Sequence, residues 1–172
     1  MNKNDVSDLL KAIAADGDLK KEFLSLLAET LDLRDNQYHP LVFINGDPEI
    51  GEGTYIGLFS EINARKSIVR IGAHCDIASF VSLNVADSYK FNLGLAEEIE
   101  RKPITLEDYV FVGSHSFIGG DTHIGHHSVI GAGTILINGG RIPPYSLVYG
   151  NRAVVKPGYF ENQLTKKRVA KQ

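Results

Sequence analysis

A six-residue repeat of aliphatic side chains constrains the fold more than any other feature of the sequence. Nine aliphatic residues follow one another at intervals of six: Leu106, Val112, Ile118, Ile124, Ile130, Leu136, Ile142, Val148 and Val154. The same spacing continues upstream in two runs, which are Ile44, Ile50, Ile56 and Ile62 and, after a three-residue shift, Ile71, Ile77 and Leu83. A period of six fits neither an α-helix nor an alternating strand. It predicts a hexapeptide parallel β-helix, built of short strands and tight turns.

The positions around each aliphatic residue support this prediction. Small or β-branched residues lie four places after it, at a second inward position: Val110, Ser116, Thr122, Ser128, Thr134, Gly140 and Ser146. Glycine follows it directly in four successive units, Gly113, Gly119, Gly125 and Gly131, where we expect it to allow the backbone angles of the turn. Three units per coil give an 18-residue coil, stacked on the next at about 4.8 Å.

The chain divides into three parts. Residues 1–36 form an N-terminal helical segment, in which apolar residues at helical spacing predict two helices within 5–33, separated at Asp16–Asp18. Residues 34–40 form a linker, and residues 41–157 form the β-helix. The register breaks over 84–105, which predicts an excursion loop of a length that is often functional. Residues 158–172 form a basic tail.

Composition excludes several classes of function. The 172 residues carry a net charge of −3 and 43% hydrophobic residues, typical of a globular domain without a nucleic-acid partner. The single cysteine, Cys75, cannot form an intramolecular disulfide. The N-terminus lacks an apolar run suited to a signal peptide or a membrane span. We therefore expect a cytoplasmic protein with no membrane partner.

Four of the six histidines, His115, His123, His126 and His127, lie within thirteen residues. None occupies an inward position of the repeat, so we expect all four on the outside of the coil or at its corners. Residues 18 apart stack on adjacent coils, and no histidine stacks on another, so we expect no metal site within one chain. A zinc site between subunits stays an alternative. As a general base for acyl transfer, His126 is the first candidate and His115 the second.

Apolar residues also occupy outward positions. The sixth residues of several units are Phe111, Phe117, Val129, Ile135 and Leu147. The 18-residue register predicts one column of Phe111, Val129 and Leu147 and another of Phe117, Ile135 and Ala153. Contiguous apolar surface marks an interface, and closed symmetry favours a homotrimer.

Three stretches carry a resemblance to a known family. They are ITLEDYVFVGSHSFIGG (104–120), IGHHSVIGAGTIL (124–136) and IPPYSLVYGNRAVV (142–155). They resemble the hexapeptide-repeat acyltransferases, left-handed β-helix enzymes that use acetyl-CoA, and within them the branch that acetylates sugars and amino sugars. The resemblance covers about two thirds of the chain and implies a mainly β fold, a trimer and an acyl donor bound between neighbouring coils.

The resemblance also implies residue roles. Ser114, Ala132 and Gly150 match positions that line the pantetheine arm of coenzyme A, and their 18-residue spacing independently predicts a column of small residues. The alternative is that small residues simply fit tight corners. Backbone amides at Gly113–Ser114 or Gly131–Ala132 would stabilise the oxyanion. Lys156 and the basic tail are candidates for the 3′-phosphate by charge.

The chain departs from the family at the catalytic histidine. Galactoside-acetyltransferase-like members place it soon after the strand that ends here at Leu83, where this chain reads LNVADSYK. The matching positions fall near Ser88 and Tyr89, and residues 84–105 contain no histidine. A second branch, acting on 4-amino sugar nucleotides, has its base at a corner that matches His126. Asp87 or Asp121 could orient or replace that base, and Asn84, Ser88 and Tyr89 are candidate acceptor-binding residues.

Three functional hypotheses follow. The first is an acetyl-CoA-dependent transferase acting on an amino sugar, nucleotide-linked and used in polysaccharide biosynthesis, with N-acetylation favoured because a neutral amine is already a nucleophile. The second is a metal-dependent hydratase like carbonic anhydrase, which the histidine spacing disfavours. The third is a non-catalytic β-helix that serves as an assembly module.

Overall fold

The computed structural model describes residues 3–30, 37–38 and 41–162. The chain forms two compact units, one within residues 1–40 and one from residue 41 onward. The first unit contains α1 (Lys3–Ala15) and α2 (Gly17–Thr30), which confirms the two predicted helices. Asp16 caps the N-terminus of α2, because its side-chain Oδ1 accepts the N–H groups of Asp18 and Leu19. Most of the predicted linker and residues 163–172 of the tail lie outside the described residues.

The second unit is a parallel β-helix of about five coils with three sheets. Sheet A contains β1 (Phe43–Asn45), β4 (Glu61–Asn63), β7 (Ser82–Asn84), β12 (Phe117–Gly119) and β15 (Ile135–Leu136). Sheet B contains β2 (Glu49–Ile50), β5 (Val69–Ile71), β10 (Ile104–Leu106), β13 (Thr122–Ile124) and β16 (Gly140–Ile142). Sheet C contains β3 (Tyr55–Ile56), β6 (Asp76–Ile77), β11 (Phe111–Val112), β14 (Val129–Ile130), β17 (Leu147–Tyr149) and β18 (Val154–Lys156).

The strand register confirms the 18-residue coil. Leu106 pairs with Ile124 and Ile124 with Ile142, each 18 residues on. Ile50 pairs with Ile71, 21 residues away, which confirms the predicted three-residue shift. Ile71 pairs with Leu106 at a distance of 35 residues, so the excursion adds 17 residues to one coil.

The repeat predicts the core with a few exceptions. From Ile56 to Val148 every aliphatic residue of the repeat is buried, whereas Ile44 and Ile50 in the first coil are half-buried. Val154, expected inside, is 49% exposed because β18 turns back and pairs antiparallel with β17. Gly140, expected at a small inward position, is exposed.

The reason expected for the repeated glycines is wrong. The left-handed backbone angle falls two residues later, for example at His115 (φ 61°) and His127 (φ 57°). Gly113 is required instead by close packing, since a Cβ there would lie 2.5 Å from the backbone nitrogen of Ala132 on the next coil. The glycine therefore lets successive coils approach each other at the turn.

The excursion leaves the coil after β7 and rejoins it at β10. It contains β8 (Ala86–Asp87), the short helix α3 (Tyr89–Asn92) and β9 (Glu100–Arg101). Strands β8 and β9 pair antiparallel, with Asp87 opposite Glu100. The excursion is therefore a hairpin with its own hydrogen bonds, which follows the last residue of β7, the central strand of sheet A.

The outward apolar columns are partly as expected. Phe111, Val129 and Leu147 are neighbours on sheet C, and Phe117 pairs with Ile135 on sheet A. Ala153 does not continue the second column, because the bridge partner of Ile135 is Asn151. The turn there is two residues shorter, since the Gly150 carbonyl accepts the Ile135 amide as the Thr134 carbonyl accepts that of Phe117 one coil earlier, so Gly150 also does not continue the predicted 18-residue column of Ser114 and Ala132.

Candidate active site

The predicted site residues lie at three different corners of the coil. Corner CA, between sheets C and A, contains Ser114, His115, Ala132 and Gly150. Corner BC, between sheets B and C, contains His126, and the excursion rises from corner AB. Six residues at about 3.3 Å each place neighbouring corners roughly 15–20 Å apart. Within one chain, side chains on two corners therefore cannot reach the same reacting atom.

Corner CA carries a strip of small residues, here called the groove, in which two backbone amides are unpaired. Ser114 is half-buried, Ala132 is exposed, and Gly150 is half-buried with a φ of 97°. Among the described residues, the N–H groups of Ser114 and Ala132 have no hydrogen-bond acceptor. They lie on adjacent coils, about 4.8 Å apart in the stacking direction. A thin, amide-bearing ligand along this corner would find both donors unoccupied.

Corner BC differs at the same turn position. There the N–H of Ala73 donates to Asp108 Oδ1 at 2.8 Å, and that of His126 donates to Glu107 Oε2 at 2.9 Å. The next residue in the column is Pro144, which has no N–H. At corner BC side chains thus accept the amides of Ala73 and His126, whereas the Asp108 amide, like those of Ser114 and Ala132 at corner CA, has no acceptor among the described residues.

Gly113 and Gly131 shape the groove without donating into it. The N–H of Gly113 donates to the carbonyl of Ile130, and that of Gly131 to the carbonyl of Val148, both at 2.8 Å. The carbonyl of Gly131 accepts the Ser116 hydroxyl at 3.1 Å. Of the amides considered for an oxyanion, those of Ser114 and Ala132 are therefore the ones available.

Lys156 brings a positive charge towards the end of the groove. It is exposed on β18, opposite Leu147, and its ammonium lies 5.2 Å from the centre of the Tyr149 ring and 5.8 Å from that of Tyr159. Tyr149 directly precedes Gly150. The cation–π contacts hold the ammonium near this corner while leaving it in solvent.

His115 is at corner CA, directly after Ser114. Its exposed ring stacks on Phe80, with centroids 4.8 Å apart and an interplanar angle of 6°. Among the described residues the His115 ring nitrogens make no hydrogen bond. This histidine is therefore the candidate base on the same corner as the groove, with both nitrogens open to a substrate.

His126 is half-buried beside an open cleft of about 470 Å³ at corner BC. Its Nδ1 lies 3.0 Å from Nδ1 of His127, and its ring meets the ring of Tyr145 edge-on at 5.0 Å. Glu107, from the coil below, connects this corner to His123, whose Nε2 lies 2.7 Å from Glu107 Oε1. Burial raises the pKa of Glu107, but hydrogen bonds from the His123 ring and the His126 amide outweigh it and hold that pKa below its usual value.

The excursion builds a third pocket, of about 290 Å³, at its base. Asn84, Asp87 and Tyr89 line it, whereas Ser88 does not. Asn84 Oδ1 accepts hydrogen bonds from Asn63 Nδ2 at 3.1 Å and from the Ala86 amide at 2.9 Å, which fixes the start of the excursion. Asp87 is exposed, and its Oδ1 accepts the amide of Tyr89 at 3.3 Å.

Two lysines in this pocket were missed from the sequence. Lys90 Nζ lies 3.0 Å from Glu100 Oε2, and Lys102 Nζ lies 3.2 Å from Glu100 Oε1 and 3.3 Å from Asn138 Oδ1. Hydrogen bonds from Lys90 and then Lys102 lower the pKa of Glu100. These charges come together only because β8 pairs with β9, and no sequence pattern predicts that pairing.

The described part of the chain holds no candidate cluster of metal ligands. Within residues 3–30, 37–38 and 41–162, no three His, Cys, Asp or Glu side chains are placed to share an ion. His123 pairs in register with Thr105 and Arg141, as the repeat predicts. In the same part of the chain, no helix is both long and apolar enough for a bilayer crossing.

Comparisons with known proteins agree on one class of fold and chemistry. A 2,3,4,5-tetrahydropyridine-2,6-dicarboxylate N-succinyltransferase from Xylella fastidiosa (strain Temecula1) is 29% identical over 129 residues, which are 67% of this chain and 42% of that protein. The corresponding protein of Methylorubrum extorquens (strain PA1) is 30% identical over 128 residues, 67% of this chain and 41% of its own length. The chain thus spans about two fifths of these relatives. No protein-family model matches it.

Two solved structures share the β-helix. A hexapeptide-repeat-containing acetyltransferase from Vibrio cholerae superposes with a TM-score of 0.56 and 28% identity over 63% of this chain and 61% of that one. A variant of AntD, an N-acyltransferase from Bacillus cereus, in complex with dTDP-4-amino-4,6-dideoxyglucose and coenzyme A, gives a TM-score of 0.62. It is 16% identical and covers 78% of this chain and 79% of its own. The resemblance to hexapeptide-repeat acyltransferases is confirmed.

Proposed function

We propose that this hexapeptide-repeat protein is an acyl-CoA-dependent N-acyltransferase whose acceptor is an amino sugar, carried on a nucleotide. The observation that carries the proposal is the pair of unpaired amides at Ser114 and Ala132 among the small residues of the groove. The pantetheine arm of coenzyme A is thin and extended, carries two amides and needs such donors. The succinyltransferases and acetyltransferase to which the chain is similar support acyl transfer in general.

The reaction at this groove follows from its donors. The neutral amine of the acceptor attacks the thioester carbonyl carbon, and the oxygen that gains the negative charge faces the Ser114 or Ala132 amide. The intermediate then collapses, breaks the C–S bond and releases the thiolate of coenzyme A. A histidine takes the proton lost by the amine, and the thiolate is protonated on leaving. The products are an amide and free coenzyme A.

The position of the base depends on assembly. His115 shares corner CA with the groove and can serve within one chain. His126 lies roughly 15–20 Å away at corner BC and can act only if a second copy brings its corner against the groove. A homotrimer with sites between neighbouring subunits provides that arrangement, and the outward Phe111, Val129 and Leu147 column provides an apolar contact surface.

The excursion pocket is the proposed acceptor site, and because corner AB also lies roughly 15–20 Å from the groove of the same chain, it serves the groove of a neighbouring copy. Lys90 and Lys102 provide cations for the phosphates of a nucleotide-linked sugar, while Asn84, Asp87 and Tyr89 offer hydrogen-bonding groups for the sugar. The complex of AntD with a dTDP-linked amino sugar supports this choice of acceptor by analogy of fold. N-acylation is favoured over O-acylation because residues 84–105 carry no histidine to activate a hydroxyl.

Calorimetric titration with acetyl-CoA and succinyl-CoA tests the donor. We expect micromolar binding at one site per chain and, with amino-sugar nucleotides added, release of free thiol. Ala132→Trp should block the groove and abolish binding, whereas Ala73→Trp, at the matching turn position of corner BC, should leave it intact. If the wild-type protein binds neither thioester, the proposal fails and the assembly-module alternative takes its place.

A further inference from the structure

Rings are stacked along two corners of the coil. At one of them, corner CA, the coil continues past the last ring, but no further ring is stacked on it. At corner BC, His74, Tyr109, His127 and Tyr145 follow one another, with ring centroids 4.8–5.3 Å apart. At corner CA, Phe59, Phe80 and His115 stack with centroids 5.2 and 4.8 Å apart. We call these two columns of rings the BC ladder and the CA ladder.

Gly133 occupies the next position of the CA ladder. Each ladder residue donates its amide to a carbonyl on the preceding coil: Phe80 to Leu58, His115 to Ser79, and Gly133 to Ser114 at 2.9 Å. Gly133 also has the left-handed φ of the ladder, 67°, close to the 61° of His115. The backbone thus continues the ladder by one more coil, but the fourth ring is missing.

The space left by that ring is open. A Cβ at Gly133 would meet no atom within 4 Å. Gly53 holds the corresponding ladder position below His74 at corner BC, and there the His74 ring fills the space, 2.5 Å from a hypothetical Cβ. One face of the His115 ring is therefore covered by Phe80, and its other face looks into a gap that the chain leaves unfilled.

We propose that this gap binds a flat heteroaromatic ring, a purine or pyrimidine base, stacked on the open face of His115. The base would take the place of the missing fourth ring, at the same spacing as the rings below it. Stacking of a base on an aromatic side chain tolerates any base, because each presents a π-face. The near-parallel Phe80 holds the His115 ring in the orientation that such stacking needs.

Two ligands could supply the base. Both are substrates of the proposed function, so this part of the inference rests on that function. One source is the adenine of the acyl donor, since the groove at Ser114 and Ala132 directly adjoins the gap; in that case the thioester lies farther along the extended pantetheine arm, and His126 of a neighbouring copy is the base. The other is the base of a nucleotide-linked acceptor. The stacking chemistry is the same for both, so the experiment must separate them.

Calorimetric titrations of the full chain with acetyl-CoA, acetyl-pantetheine and dTDP or UDP distinguish these sources. Gly133→Phe supplies the missing ring from the chain itself, and Phe59 and Phe80 show that phenylalanine adopts this backbone angle here. We expect Gly133→Phe and His115→Ala each to raise the dissociation constant of the stacked ligand about tenfold. His115→Phe keeps a ring surface and should remain within about threefold of wild type.

A matched control is Gly140→Phe, since Gly140 has a φ of 61° and equally open space but lies on sheet B, away from corner CA. It should bind every ligand like wild type. If Gly133→Phe weakens the binding of acetyl-CoA but not that of acetyl-pantetheine, the stacked base is adenine. If it weakens the binding of dTDP or UDP, the stacked base is that of the acceptor. Unchanged binding of acetyl-CoA and nucleotides in folded Gly133→Phe would overturn the inference. Failure of acetyl-pantetheine to bind wild type would instead count against the proposed function.

Discussion

Glu107 is the residue that joins the histidines of corner BC. One of its carboxylate oxygens accepts the His123 ring, and the other accepts the backbone amide of His126. The carboxylate therefore fixes the turn on which His126 is mounted. It does so from the coil below, so that the orientation of this candidate base depends on the stacking of coils.

Glu107→Gln should remove a pH-dependent part of the stability. The folded-state pKa of Glu107 lies below its ordinary 4.5, so its stabilisation is fully present above pH 4.5 and is lost as the pH falls through the folded value. We expect the variant to be less stable by about 1 kcal/mol near neutral pH and equal to wild type in acid. Urea unfolding across that range measures this, with exposed Glu52→Gln as control. A constant difference at every pH would contradict it.

Gly113→Ala tests the close packing of successive coils. The added methyl would lie 2.5 Å from the Ala132 nitrogen, so the backbone must move, which costs about 1–3 kcal/mol. Gly119→Ala is the matched control, because its Cβ would meet nothing closer than 3.4 Å. Thermal unfolding compares the two. Equal melting temperatures would show that the coils can separate at Gly113 without loss.

The excursion shows how far the sequence predicts an element. The limits of the excursion could be predicted, because the aliphatic residues expected at six-residue intervals between Leu83 and Leu106 are absent. A buried position every six residues is a strong and local signal. The pocket of the excursion could not be predicted, since Lys90, Glu100 and Lys102 meet only after β8 pairs with β9. The same limit applies to Val154, where the chain reverses while the six-residue spacing continues.

Lys102→Ala should weaken the binding of the acceptor and leave the binding of the acyl donor unchanged. Lys102 places a cation in the excursion pocket and ties its base to Asn138 on the coil, away from the groove at corner CA. We expect the KM for the acceptor to rise roughly tenfold while the dissociation constant of acyl-CoA stays unchanged. Steady-state kinetics and calorimetry measure the two. Exposed Lys66→Ala is the control, and an equal loss of donor binding would refute the assignment.

The separation of the three corners is a property of the whole molecule. The sequence correctly put the histidines outside the core, because each lies out of phase with the aliphatic positions. The 18-residue register also separates His115, which adjoins Ser114 at the corner of the groove, from His126. The sequence could not give the contacts of their rings, such as the stacking of His115 on Phe80, since these depend on side-chain packing.

Mixed oligomers decide which histidine serves the groove. If His126 acts across a subunit boundary, His126→Ala and Ala132→Trp chains assembled together should regain about a quarter of the wild-type rate, because random mixing leaves that fraction of sites intact. His115→Ala with Ala132→Trp should regain nothing, since both residues lie on one corner. Thiol release after co-refolding measures this. No recovery in the first mixture would exclude a shared site built on His126.

The reversal at β18 also bears on how the β-helix ends. A stack of identical coils has no intrinsic length, because each coil offers the next a row of unpaired backbone groups. Strand β18 runs against β17 and occupies the last row of sheet C with a strand of opposite direction. A further coil, or the first coil of another molecule, cannot add there in the parallel sense. One hairpin thus acts as a terminator, which limits growth into filaments on that side.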